Sequence, residues 1–344
     1  MSVVKISADP LELLSGFLAR KSWSQLAVLT DSNTQQVCFP LIQSAVTGIE
    51  PFVVPAGEEH KNLDTCKLVW EHLTRKQLDR HALVIIIGGG VLGDLGGFCA
   101  ATYKRGIDFI LVPTTLLAQV DASVGGKLGI DFLNYKNHIG VFHEPVATLI
   151  SPAFLKTLPE RELRSGFAEV IKHCLIADQA MWAALKKNSL ANQNWEKLLT
   201  HSVDFKRSVV VTDPKEKGLR KILNFGHTVG HAVESYFLEA GQRIFHGEAI
   251  ALGMIAEANL AVSKNLLKES ELDEIAGYLK QIYPLIRLPK DRTEIFRLMI
   301  QDKKNKDNRI LMAMPEGIGK ARWDVEVTLE EISASLNYYE SIYT

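Results

Sequence analysis

The run ALVIII, Ala82–Ile87, followed at once by Gly88-Gly89-Gly90, constrains the fold more than any other stretch of the chain. No unbroken apolar run in the chain is longer, and its six residues fall far short of the ~20 a membrane-spanning helix needs. β-Branched residues dominate it and no polar residue alternates with them. It therefore reads as a strand buried on both faces, as in a parallel sheet covered by helices on either side. QLAVLTD (Gln25–Asp31) is a second short buried strand, ending in an acid, and FILVPTT (Phe109–Thr115) is a third. Between them Leu63, Cys66, Val69, Trp70 and Leu73 recur at helical spacing, predicting a helix over 63–78. The expectation for residues 1–150 is an α/β, Rossmann-like nucleotide-binding domain.

From about Ser151 the β-branched runs fade and amphipathic stretches take over: 161–177, 179–187, 195–211, 228–239, 248–266, 272–281 and 293–303. An all-α domain over 151–344 is expected. A chain of 344 residues suits two domains, and 47% apolar residues can fill two cores. The formal net charge of −1 gives no electrostatic footprint for nucleic acid or an anionic membrane. The four cysteines are far apart with no CxxC pair, so free buried thiols in a reducing compartment are expected. The first twenty residues lack a signal-peptide core, and a cytoplasmic protein is the expectation.

Gly88-x-Gly90-x-x-Gly93 directly follows the strongest strand. Glycines there let backbone N–H groups approach a pyrophosphate, and the N-terminus of the next helix favours the negative charge. The acid that usually binds ribose about 20 residues on is missing; Asp108 is too near. A plain tight strand-to-helix turn would read the same way.

VPTTLLAQVDASVGGKLGIDFLNYKNHIGVFHEP (Val112–Pro145) sets Thr114 and Thr115 at a strand end, then Asp121, Gly125-Gly126-Lys127 and Lys136-Asn137-His138. Ligands bind at strand ends in open α/β sheets, and glycines beside a lysine suit a phosphoryl group. The bland alternative is a long loop with solvated lysines.

In RSGFAEVIKHCLI, Glu169, Lys172 and His173 share one face of a largely apolar helix. A buried acid there needs a cationic partner or a metal. LNFGHTVGHAVE carries His227, His231 and Glu234 at i, i+4 and i+7, and FHGEAIALGM adds His246 and Glu248. A catalytic zinc site takes about three protein ligands and keeps an open position. Glu169 with two of the three histidines would supply it, and spacing alone does not choose which two.

Taken together, GGGVLGDLGGF, YKRG, VPTTLLAQVDASVGGK, YKNHIGVFHEP, FLKTLPERELRSGFAEVIKH, GLRKILNFGHTVGHAVE, FHGEAIALGM and DKKNKDNRI resemble the 3-dehydroquinate synthases of the sugar phosphate cyclase family. They span roughly residues 57 to 312. One departure is Leu128, where the family often has threonine; that position is not expected to touch the chemistry. The resemblance implies an N-terminal nucleotide-binding domain, a C-terminal helical domain and an active site in the cleft between them. It implies NAD and a divalent metal, zinc or cobalt, as cofactors. It puts the metal ligands on Glu169, His227 and His246, and turns His231 to the substrate phosphate.

The implied substrate is 3-deoxy-D-arabino-heptulosonate 7-phosphate, and the products are 3-dehydroquinate and phosphate. The implied order is oxidation of the C5 hydroxyl by NAD, β-elimination of phosphate, return of the hydride, then ring opening and intramolecular aldol closure. By the same resemblance Asp121, Lys172 and Asn224 position hydroxyls. Lys127, Asn137, His231 and one of Lys303 and Lys304 clamp the phosphate, with Arg105 reaching in from the neighbouring subunit of a homodimer. Lys206 and Arg220 hold the substrate carboxylate. NAD contacts fall on Asp31, Glu58, Lys61, Gly89, Gly90, Gly93, Asp94, Thr114, Thr115, Lys127, Lys136, Phe154, Thr157, Leu158 and Glu162.

Three other readings stand beside this one. Cyclases acting on sedoheptulose 7-phosphate bind no carboxylate, which Lys206 and Arg220 argue against. A glycerol-type metal-dependent dehydrogenase should lack the VGGK and NFGHTVGH segments. A non-catalytic NAD-binding protein should have lost some of the ligand groups that are all present.

Overall fold

The computed structural model describes residues 3–122, 125–133, 135–300 and 310–344. The chain divides into two compact units: Met1–Pro159 with Trp195–Val203, and Glu160–Asn194 with Asp204–Thr344.

The first unit contains β1 (Val3–Ile6), α1 (Pro10–Leu18), β2 (Leu26–Asp31), the short α2 (Thr34–Val37), β3 (Phe52–Val54), α3 (Leu63–Arg75), β4 (Leu83–Gly88), α4 (Gly90–Thr102), β5 (Asp108–Pro113), β6 (Lys127–Phe132), β7 (Tyr135–Phe142) and β8 (Ala147–Ile150). Six strands form one sheet in the order β1-β8-β5-β4-β2-β3, every pairing parallel. The ALVIII run lies in its middle, and all six residues of β4 are buried. Val84 and Ile86 enter one core with Leu29, Leu95 and Phe98, while Leu83, Ile85 and Ile87 enter the other with Val28, Ile110 and Phe154. Two cores explain why the strand does not alternate.

After β3 the chain crosses over β2 to reach β4, so the strand order reverses beside β2. Ligand sites of open α/β sheets form at the carboxyl ends of strands flanking such a point. Those ends are Asp31, Gly88 and Pro113. The segment after β5 forms an antiparallel β6–β7 hairpin. Leu128 on β6 is buried against α4, where a Cβ on Gly97 would stand 2.5 Å from its Cδ2.

The second unit is helical: α5 (Glu160–Ala177), α6 (Gln179–Leu185), the latter part of α7 (Trp195–Thr212), α8 (His227–Glu239), α9 (His246–Ser263), α10 (Glu269–Ile282), α11 (Thr293–Ile300) and α12 (Leu329–Ser341). Its one irregularity among the described residues is an antiparallel hairpin of β9 (Ile310–Pro315) and β10 (Ala321–Val327). ILMAMP is too short an apolar run for a helix and stops at Pro315. α9 is the central element, with fourteen of its eighteen residues buried.

The four cysteines are buried and free. Among the described residues no helix is long and apolar enough to cross a membrane.

Candidate active site

In the first unit β4 runs into α4 through Gly89, whose backbone is extended and which caps the helix with no side chain. The first amides of α4 are thus left for an anion. Gly88, Gly89, Gly90, Gly93 and Asp94 line a small cavity with Pro113. Leu128 also lines it, so this position borders the glycine turn as well as packing on α4.

A polar group flanks the turn. The buried Lys61 ammonium donates to Asp94 Oδ2 at 2.7 Å and to Asn137 Oδ1 at 2.6 Å. Burial pushes the Asp94 carboxyl upward, and Lys61 offsets part of that rise. Asn137 adopts a φ of 51°, and its amide donates to Asp131 Oδ1 at 2.7 Å. Asn137, read from sequence as a phosphate ligand, thus shares Lys61 with the nucleotide-side residues. On the other flank Asp31 accepts from the amides of Asn33 and Thr34 at 2.9 and 2.8 Å. The Cys38 thiol lies against the hydroxyls of Thr114 and Thr157, and burial, aided by Asp31, pushes it up to about 11.

In the second unit three helices bring the metal-capable groups together. α5 contributes Glu169, Lys172 and His173, all essentially fully buried. His227 and His246 are the first residues of α8 and α9. Close crossings make this convergence possible. A Cβ on Gly253 would stand 1.9 Å from the Gly226 carbonyl oxygen, and one on Gly247 would stand 2.1 Å from that of Ser165. Gly226 turns into α8 at φ 79°, a conformation that favours glycine. Its amide and that of Val229 donate to the buried Glu257 at 2.5 and 3.1 Å, which fixes the start of α8. The start of α9 is fixed by Glu248, which accepts from the Phe245 amide at 2.9 Å and from Arg161 Nε and Nη2 at 2.7 and 2.9 Å.

Nε2 of His227 and Nε2 of His246 lie 3.4 and 3.7 Å from Glu169 Oε1. Among the described residues that buried oxygen accepts no hydrogen bond. Leaving such an acceptor unsatisfied costs about 1–3 kcal/mol. The other oxygen, Oε2, accepts from the buried Lys172 ammonium. Burial alone would raise the Glu169 pKa, but Lys172 and then His246 and His173 outweigh it and hold Glu169 well below the usual carboxylate range. Burial likewise opposes charge on His246, yet Glu169 and Glu234 push its pKa up to about 9. One carboxylate oxygen and two imidazole nitrogens are a donor set that fits a divalent ion such as zinc or cobalt.

A second donor set is geometrically available. His231 is exposed, and its ring lies 4.9 Å from that of His227 and 5.7 Å from that of His246. The ligating atoms of these three histidines lie within 4.8 Å of one another.

Arg220 and Lys206 are buried in the same unit. Arg220 Nη1 donates to the Pro214 carbonyl at 3.1 Å, and Glu216 lies 3.9 Å from Nε. Glu216 also accepts from Asn224 Nδ2 at 2.9 Å, so it joins two residues picked from the sequence. Arg105 is exposed and holds φ 69° just after α4. Glu162 lies in the first turn of α5, where burial raises its pKa against Arg243 and Arg161. Lys303 and Lys304 lie outside the described residues. Sequence reading missed Glu216, Glu257, Arg161 and Cys38, whose roles depend on partners distant in the chain or on a turn of unusual backbone.

A glycine turn at the reversal point of a parallel sheet, with a carboxylate–histidine cluster among helices, suits an enzyme that binds a nucleotide and a divalent metal. Comparison with known proteins narrows the class. The family described as 3-dehydroquinate synthase N-terminal matches residues 51–165, and 3-dehydroquinate synthase C-terminal matches residues 166–305. The chain is 37% identical over 346 residues to the 3-dehydroquinate synthase of Parabacteroides distasonis, covering 99% of this chain and 98% of that one. Its fold is similar to 2-epi-5-epi-valiolone synthase from Streptomyces hygroscopicus subsp. jinggangensis 5008, solved with NAD+ and Zn2+, at 27% identity and a TM-score of 0.86 over 99% of this chain and 97% of that one. It is also similar to a 2-deoxy-scyllo-inosose synthase complexed with carbaglucose-6-phosphate, NAD+ and Co2+, at 25% identity and a TM-score of 0.84 over 97% and 96% of the two chains. The chain belongs to the 3-dehydroquinate synthase family.

Proposed function

We propose that this chain converts 3-deoxy-D-arabino-heptulosonate 7-phosphate to 3-dehydroquinate and phosphate, using NAD and one divalent metal ion. When bound, NAD takes up and returns a hydride, and the metal polarises the hydroxyl being oxidised. The observation that carries the reading is the buried Glu169 Oε1, which accepts no hydrogen bond among the described residues and faces two imidazole Nε2 atoms.

The rest of the mechanism belongs to side chains. Glu169, His227 and His246 hold the metal. Glu169 is preferred to His231 because its buried Oε1 accepts no hydrogen bond among the described residues and needs a partner, while an exposed imidazole can turn to water. Lys172 keeps Glu169 ionised and, with Asp121 and Asn224, orients the substrate hydroxyls. Lys206 and Arg220 bind the carboxylate; their burial strengthens an ion pair that water would otherwise weaken. Lys127, Asn137, His231 and Lys303 or Lys304 bind the phosphate. Concentrated positive charge there stabilises phosphate as it departs. The glycine turn, Lys61, Asp94 and the Thr114–Thr115 strand end hold the nucleotide.

The working form is a cytoplasmic homodimer in which Arg105 serves the phosphate site of the neighbouring subunit. The exposure of Arg105 supports this, as do Leu133, Tyr135 and Phe142 on the β6–β7 hairpin, which are 73%, 65% and 80% exposed.

The test is phosphate release from the heptulosonate 7-phosphate with NAD in catalytic amount, before and after EDTA. Phosphate far exceeding the NAD supplied, and stopped by chelation, is expected. No release with NAD and metal both bound would sink the proposal and turn the search to sedoheptulose 7-phosphate.

A further inference from the structure

Glu234 was singled out in the sequence as a third metal-capable group on the His227–His231 face, and none of the roles above uses it. It lies two turns along α8 from His227. Its side chain crosses to α9, where Glu234 Oε2 lies 3.0 Å from His246 Nδ1. A carboxylate only accepts, so Nδ1 carries the hydrogen and donates it. In the neutral ring the lone pair then sits on Nε2, the atom 3.7 Å from Glu169 Oε1. His227 is oriented in the same sense by a weaker acceptor: its Nδ1 lies 3.1 Å from the Phe225 carbonyl.

We propose that Glu234 is the positioning residue of the metal centre, fixing the His246 ring and tautomer with Nε2 turned toward Glu169 and supplying a carboxylate behind that ligand. The inference rests on the metal reading above. A carboxylate behind a ligating imidazole raises its basicity, and loss of such a partner lowers metal affinity about 10–100-fold. The two histidines then differ in kind. His227 is held by the backbone at the start of its own helix. His246 is held by a side chain of another helix, so its orientation can be removed by one substitution. Both the His246 and Glu234 side chains are about a quarter exposed or less, so the bond is partly shielded from water.

The test is Co2+ binding by the full-length protein, Glu234→Ala and Glu234→Gln. It would be read by competition with a chelator and by visible absorption of the bound ion, with thermal unfolding of the metal-free proteins alongside. The native protein should bind one ion per chain. Glu234→Ala should bind about 10–100-fold more weakly with an altered spectrum. Glu234→Gln, which can still accept from Nδ1 but lacks the charge, should fall between them. Native-like affinity and spectrum in both variants would overturn the role of Glu234 and leave the metal site standing. So would a loss confined to an Ala variant that no longer folds, with the Gln variant binding like the native protein. Failure of the native protein to bind one ion per chain would remove the metal reading itself.

Discussion

The glycine turn of the first unit and the histidine cluster of the second are built by opposite means. The turn is made of consecutive residues, Gly88 to Asp94, and offers backbone amides at the start of α4. The cluster draws Glu169, His227 and His246 from three helices, and a further set of buried or half-buried carboxylates holds them. A backbone site needs little more than the absence of side chains at a few positions. A side-chain site needs every ligand oriented by a partner, so its support reaches well beyond its ligands. The turn should therefore fail softly under substitution and the cluster sharply.

The largest effect should come from His246→Ala. It removes a ligand, so metal content should be lost and turnover should fall on the order of 10³-fold, the scale of several kcal/mol of charge stabilisation. NAD affinity, read by fluorescence quenching, should stay. Normal metal content in this variant would break the contrast at its root. Arg220→Met should raise KM for the substrate about 10–100-fold, the loss of a hydrogen-bonded charge, with NAD and metal binding both retained. Unchanged kinetics would undercut the carboxylate role and with it the choice of substrate. The smallest effect is expected from Gly89→Ala. Its Cβ would come within 2.9 Å of Thr115 Cγ2, a side-chain contact that can shift. NAD affinity should drop about tenfold at unchanged metal content, and a collapse of both would show that the two sites do not fail separately.

How much of this was legible in the sequence follows the same divide. ALVIII and its glycines announced a buried parallel strand, because that signal is local. The helices of the second half were legible from periodicity, with ends displaced by a few residues: His227 and His246 start α8 and α9 one turn or less before the periodic stretches suggested. The β9–β10 hairpin was hidden because five apolar residues before Pro315 are too few to show a period of their own, and the stretches before them are helical. At the site, histidine spacing offered three candidates and no way to choose. What favours the proposed set is the burial of Glu169, on a helix more than fifty residues earlier, and only packing creates that. Glu257 looked like any acid of an apolar helix, yet it caps α8 through the amides of Gly226 and Val229.

The central claim is that the buried Glu169, and not the exposed His231, completes the metal site. Anomalous diffraction at the zinc edge from metal-loaded crystals tests it directly. The account predicts one peak bonded to a Glu169 oxygen and to Nε2 of His227 and of His246, with His231 unligated. A peak shared by His227, His231 and His246 with Glu169 detached would contradict it.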